Sequence, residues 1–219
     1  KEVWVVAPET EQSAASHSLT LRRPLRIRRV STLRYAVDGT PTDSVLLGVQ
    51  KVMKSAPPDI MLSGINRGGN LGEDITYSGT VAAAMEGALL GFPSVALSQY
   101  YKEGQKVLWN TAETWTPRVL KNLFDLEWPA GVLMNVNFPN VSCDVVSGIE
   151  VVSQGRRKIG GALTEGLDPR GIQYYWVGPQ RNEDVFKSGT DLKVVAEGGI
   201  AITPLSLDLT NKSMLRTMK

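Results

Sequence analysis

The run Ser63-Gly64-Ile65-Asn66-Arg67-Gly68-Gly69-Asn70-Leu71-Gly72 holds four glycines and two asparagines in ten residues. Glycine lets the backbone approach an anion closely or turn through positive φ. Asparagine offers a carbonyl oxygen to a cation and an NH₂ group to a phosphate. Tyr77-Ser78-Gly79-Thr80-Val81 follows at once. Ser78 fits a helix N-cap there, and a Ser-Gly-Thr opening leaves N–H groups facing outward at the positive end of the helix dipole. A third stretch, residues 8–20, is rich in hydroxyls and includes Ser13, Ser16 and His17. Each stretch also has a plain structural reading, as a long loop, an ordinary cap or a solvated turn. Adjacency favours a ligand, because two anion-friendly pieces occupy residues 63–80. Neither is a Walker A loop or a Gly-x-Gly-x-x-Gly turn. His17 reads as a surface or capping side chain rather than a general base.

Positioning such groups is the task of the surrounding elements. Apolar runs at residues 3–7, 59–63, 94–98 and 132–138 predict strands, and residues 25–30 with 35–38 predict a hairpin. Helical spacing covers residues 41–54, 79–90 and 109–124, the last interrupted by Pro117. Strands and helices in alternation predict an α/β fold, a Rossmann-like, doubly wound, mostly parallel sheet. The candidate stretches then fall at carboxyl ends of strands, where ligands bind in such sheets. After Pro139 the strand-like pieces 149–153, 174–177 and 200–203 are separated by glycine-rich loops. We read residues 1–139 as the core and 140–219 as a β-rich C-terminal extension.

Composition narrows the chemistry. The chain is 42% hydrophobic and 21% charged, which excludes disordered, collagen-like and coiled-coil classes. No stretch approaches the eighteen apolar residues of a membrane span. A net charge of +2 gives no reason to expect a nucleic-acid partner. With one cysteine, Cys143, and one histidine, His17, a metal here must be held by oxygen. No signal peptide is recognised, and a cytoplasmic protein is expected.

Colinear motifs connect these pieces. Val5-Val6-Ala7-Pro8, Ser13-Ala14-Ala15-Ser16, Gly39-Thr40-Pro41-Thr42-Asp43 and Ser63-Gly64-Ile65-Asn66 occur in order. Tyr77-Ser78-Gly79-Thr80-Val81-Ala82-Ala83-Ala84-Met85-Glu86, Asp168-Pro169-Arg170-Gly171 and Gly189-Thr190-Asp191 follow. The set resembles the SurE family of metal-dependent phosphomonoesterases across essentially the whole chain. The resemblance implies a divalent ion, Mg²⁺ or Mn²⁺. It also implies release of phosphate from nucleoside 5′- and 3′-monophosphates and some action on short polyphosphate. It places Ser13 and Asn66 among the metal ligands, and Asn70, Ser78, Gly79 and Thr80 around the phosphate. It further implies a homodimer or homotetramer, with the extension and residues 205–219 as elements for exchange between subunits, and neither nucleic acid nor membrane as partner.

One part of the pattern is missing. The resemblance implies an Asn-Asp-Asp-Gly turn after a first strand, and no such run occurs in the sequence. The chain starts at Lys1, without Met, and enters a strand immediately. A strand, its ligand turn and a helix of roughly 30 residues are therefore expected ahead of it. The catalytic residues are left unassigned. A non-catalytic nucleotide- or phosphate-binding relative is the alternative reading. Arg22, Arg23, Arg26, Arg28 and Arg29 read as a solvated face, and Arg156-Arg157-Lys158 as a mobile basic loop able to meet a nucleotide. Trp109, Trp115 and Trp128 read as packing residues, Cys143 as a thiol without redox role, and Asp43 and Asp191 as capping or turn residues.

Overall fold

The computed structural model describes residues 2–157, 163–177 and 186–219. Its centre is a five-stranded sheet of β4 (Met61–Arg67), β5 (Ser94–Gln99), β6 (Val132–Phe138), β7 (Ile149–Val151) and β10 (Ile200–Ser206), in the order β4-β5-β6-β10-β7. β4, β5 and β6 run parallel, and β10 lies antiparallel to β6. β5 and β6 are buried almost throughout, as strands covered on both faces must be. Val95 and Leu97 pack with Val119 and Leu123 of α3 (Trp109–Phe124). Ala96, between them, packs with Val81, Ala84 and Ala88 of α2 (Gly79–Leu89). That period of two puts α2 and α3 on opposite faces, which is the doubly wound arrangement.

A smaller sheet orders β1 (Val5–Pro8), β3 (Arg34–Val37) and β2 (Ile27–Ser31) as β1-β3-β2, with β1 parallel to β3. α1 (Pro41–Leu47) packs on β1 and also against α2, so the two helices bridge the two sheets. Among the described residues, β1 and β4 each have one edge without a hydrogen-bonded strand. Among the described residues, β8 (Leu163–Leu167) and β9 (Gln173–Val177) pair only with one another. α4 (Asp191–Ala196) and α5 (Lys212–Thr217) complete the chain. No described helix is long and apolar enough to cross a membrane.

From residues 140–219, β10 inserts beside β6 and carries β7 on its other edge. Two differences from the sequence reading have local causes. The helix expected over 41–54 is α-helical only to Leu47 and continues as a π-turn over Gly48–Val52. A Cβ at Gly48 would sit 3.3 Å from Val6 Cγ2, so helix and strand close tightly there. β4 runs on through Gly64 to Arg67, with a register shift against β5 between Ser63 and Asn66. Gly64 has φ +132°, and a Cβ on it would lie 2.3 Å from the Leu97 carbonyl oxygen. Only glycine fits that crossing.

Candidate functional site

Asn66, next to last in β4, is half-buried, and its Nδ2 donates to the Gly68 carbonyl (2.9 Å), closing a turn. One Nδ2 hydrogen is used in this turn, and the amide oxygen is left able to face a cation. Asn70 follows, buried, and its N–H donates to Asn137 Oδ1 (2.8 Å). Its carbonyl accepts from Asn135 Nδ2 (2.8 Å) and Asn137 Nδ2 (3.1 Å), and its own Nδ2 donates to Ser98 Oγ (2.7 Å). Asn70 thus has its main chain fixed from β6 and its side chain directed toward β5.

The next residues are held from the far end of the chain. Gly72 N–H and Gly155 N–H donate to the two oxygens of Asp191 (2.9 and 2.7 Å), and Gln154 Nε2 donates to the Gly72 carbonyl (3.0 Å). Burial pushes the Asp191 carboxyl above the usual carboxylate range, against the lowering effect of those N–H donors and of Arg157. Arg157 is buried and paired with Asp74, and its N–H donates to Glu73. The basic loop expected at 156–158 is therefore corrected at Arg157, which is an internal anchor. Its burial comes from a partner 83 residues away, beyond the reach of local pattern. Lys158, Gly160 and Gly161 of that loop lie outside the described residues. Glu73-Asp74 is thereby committed to Arg157, and Glu183-Asp184 lies outside the described residues.

Ser78 is the N-cap of α2, and its side chain accepts from Val81 N–H (3.1 Å). The N–H groups of Gly79 and Thr80, in the first turn, have no partner within the helix. A Cβ at Gly79 would lie 2.9 Å from Pro41 Cγ and 3.4 Å from the Gln12 carbonyl oxygen. The first turn of α2 is thus pressed against both α1 and the 8–20 loop. That loop is fastened to the same region. Ser16 N–H donates to the Tyr77 carbonyl (3.1 Å), Ser16 Oγ to the Thr76 carbonyl (2.8 Å), and His17 Nε2 lies 2.9 Å from Glu86 Oε2. Ser13 is exposed on the loop, its hydroxyl donating to Glu11 Oε1 (2.9 Å). A cavity of about 330 Å³ opens beside Gln12, bounded by Glu9, Arg23, Asp38 and Thr40.

The structure therefore brings the 8–20 loop, Thr76, Tyr77 and the start of α2 into one region, while Asn70 is held to β5 and β6. Among the described residues there is no group of three or more His, Cys, Asp or Glu side chains able to hold a metal. Ser13 and Asn66 are neutral donors. A hard divalent cation takes six to eight oxygens with carboxylate charge among them, so the described residues do not fit one unaided. Asn135, Asn137 and Glu86 escaped the sequence reading. The signal for the first two was Asn-x-Asn inside an otherwise apolar strand.

The packing residues behave as their types suggest. Trp115 Nε1 donates to the Cys143 carbonyl and Trp128 Nε1 to the Leu123 carbonyl. Arg28 pairs with Glu9, and Arg23 and Arg26 with Asp38, all on the surface. Asp168-Pro169-Arg170-Gly171 forms the β8–β9 turn, where Asp168 Oδ1 accepts from the N–H groups of Arg170 and Ile172 (both 2.8 Å).

Comparison with known proteins agrees with this geometry. The family model described as Survival protein SurE matches residues 1–161. The 5′-nucleotidase SurE of Paramagnetospirillum magneticum is 59% identical over 219 residues, covering 100% of this chain and 84% of that protein. The 5′-nucleotidase SurE of Erythrobacter litoralis is 49% identical over 216 residues, 98% of this chain and 86% of that protein. The crystal structure of the SurE protein from Aquifex aeolicus superposes with a TM-score of 0.85 at 39% identity, covering 98% of this chain and 86% of that one. Family match, identity along the whole chain and shared architecture agree: this chain belongs to the SurE family.

Proposed function

We propose that this protein is a metal-dependent phosphomonoesterase that hydrolyses nucleoside 5′-monophosphates, and also 3′-monophosphates, to nucleoside and phosphate. The observation that supports the reading is the seating of the Ser13 loop against Thr76, Tyr77 and the first turn of α2. The Gly79 and Thr80 N–H groups would bind phosphate oxygens at the positive end of α2. Donors fixed there stabilise charge as it shifts in the transition state, without reorganising. The cavity beside Gln12 offers room for the nucleoside.

Mg²⁺ or Mn²⁺ would polarise a phosphoryl oxygen when bound. Ser13 and Asn66 would give it two neutral oxygens, and its charge calls for carboxylates that the described residues do not supply. The open edges of β1 and β4, on sheets bridged by α1 and α2, would accept a strand between them. The aspartate pair implied by the resemblance would supply that charge. Assembly as a homodimer or homotetramer is part of the same proposal. The apolar surface of β8 and β9 supports it.

Phosphate release from adenosine 5′-monophosphate by the full-length protein, with Mn²⁺ and after EDTA, is the test. Turnover should require the metal, and Ser13→Ala and Asn66→Ala should each lower kcat/KM about tenfold or more. Unchanged kcat/KM at saturating Mn²⁺ removes these two from the ligand set. Nucleotide binding without turnover would return the chain to the non-catalytic alternative.

A further inference from the structure

Asn135 and Asn137 are both 0% exposed, in the middle of the central sheet. They stand two residues apart on β6 and so share the face that carries Leu133 toward α2. Asn137 meets both main-chain groups of Asn70, accepting from the N–H at 2.8 Å and donating to the carbonyl at 3.1 Å. Asn135 Nδ2 donates to the same carbonyl at 2.8 Å. One amide paired with both groups of a peptide does what a neighbouring strand would do. It fixes the register of a residue that belongs to no strand.

Stability alone does not select this arrangement. β6 is otherwise apolar, and burying an amide incurs a desolvation cost that its hydrogen bonds only roughly offset. Asn135 Oδ1 is buried and has no hydrogen-bond donor among the described residues, an expense a leucine would avoid. Local rules are broken in this way where geometry is what must be kept. Here the geometry lies between Asn66, the candidate metal ligand, and Ser78, which opens the phosphate helix. Asp191 fixes the same run two residues further on, at Gly72.

We propose that Asn135 and Asn137 are positioning residues, which hold the Asn70 peptide so that the run from Asn66 to Ser78 keeps the shape the phosphate requires. Its catalytic consequence rests on the function proposed above. The ordering of the run does not.

The test compares Asn137→Leu and wild type in the full-length protein, by amide hydrogen exchange and by kinetics on adenosine 5′-monophosphate with Mn²⁺. Exchange in residues 66–77 should accelerate about tenfold or more while β5 and β6 stay protected. kcat should fall about tenfold or more, with KM within about threefold, since displacing a reacting group by an ångström is enough for such losses. Wild-type exchange over 66–77 in the folded variant overturns the proposal. So does a uniform acceleration across β4, β5 and β6, which marks a structural role only. If Asn137→Leu does not fold, Asn135→Leu carries the test, because it removes one of two donors to the Asn70 carbonyl together with the unpartnered acceptor. It should keep or raise Tm while kcat falls about threefold or more, and unchanged kcat and exchange would overturn the proposal. Absence of turnover in the wild type would sink the function and leave exchange to decide the positioning.

Discussion

Thr20 N–H and Thr40 N–H donate to the two oxygens of the Asp43 carboxylate, at 3.0 and 2.9 Å. One donor ends the loop that carries Ser13, and the other belongs to the N-cap of α1, so one buried residue ties two walls of the site. Burial alone would raise the Asp43 carboxyl. The donors on Thr20 and Thr40 together outweigh it and hold the group below its ordinary value. A carboxyl lowered on folding contributes stability above its unfolded value near 3.9, and that contribution is lost as pH falls through the folded value. Asp43→Asn should therefore cost about 1–2 kcal/mol at pH 7, as the loss of a buried cap does. The gap between the two proteins should narrow as pH drops toward 3. Urea unfolding at pH 7, 5 and 3 measures it, and a gap that stays constant over that range would contradict the assignment.

The Gly72–Tyr77 turn is fastened to a distant element, through the buried ion pair of Asp74 and Arg157. Removing one partner of a buried ion pair costs about 3–5 kcal/mol. Arg157→Met should lose that much in urea, and Arg157→Met with Asp74→Leu should recover at least half of it. A single variant costing under about 1 kcal/mol would show the pair to be solvated. Such long-range fastening also marks where sequence legibility ends. β5, β6 and α2 were legible because their apolar spacing is local, and the Ser78 cap because it stands in a compact run. β10 was legible as a strand, but its place between β6 and β7 was not, since its pairing with β6 joins residues 64 to 74 positions apart. Arg157 read as a loop cation for the same reason. Asn135 and Asn137 read only as parts of a strand, because their meaning depends on the Asn70 peptide facing them.

At the scale of the whole molecule, the β8–β9 hairpin stands out of the fold. Among the described residues its strands pair only with each other, and two-stranded hairpins are marginal in water on their own. Yet Ile172, Trp176 and Val177 are 63%, 68% and 69% exposed. Apolar surface presented in this way marks an association site. A second copy of the chain is the proposed partner, and its contact would supply the support the hairpin lacks. Full burial of one large apolar side chain is worth about 1.5–3 kcal/mol. Ile172→Ser with Trp176→Ser, which removes four such side chains from a two-copy contact, should therefore weaken self-association by about four orders of magnitude or more. The turn itself should survive, because Asp168 holds it through main-chain donors that neither substitution touches. Sedimentation velocity across a concentration series reads the outcome directly. The wild type should sediment as a dimer or tetramer and the double variant as a monomer. Identical sedimentation of the two proteins would mean that the hairpin does not carry the subunit contact.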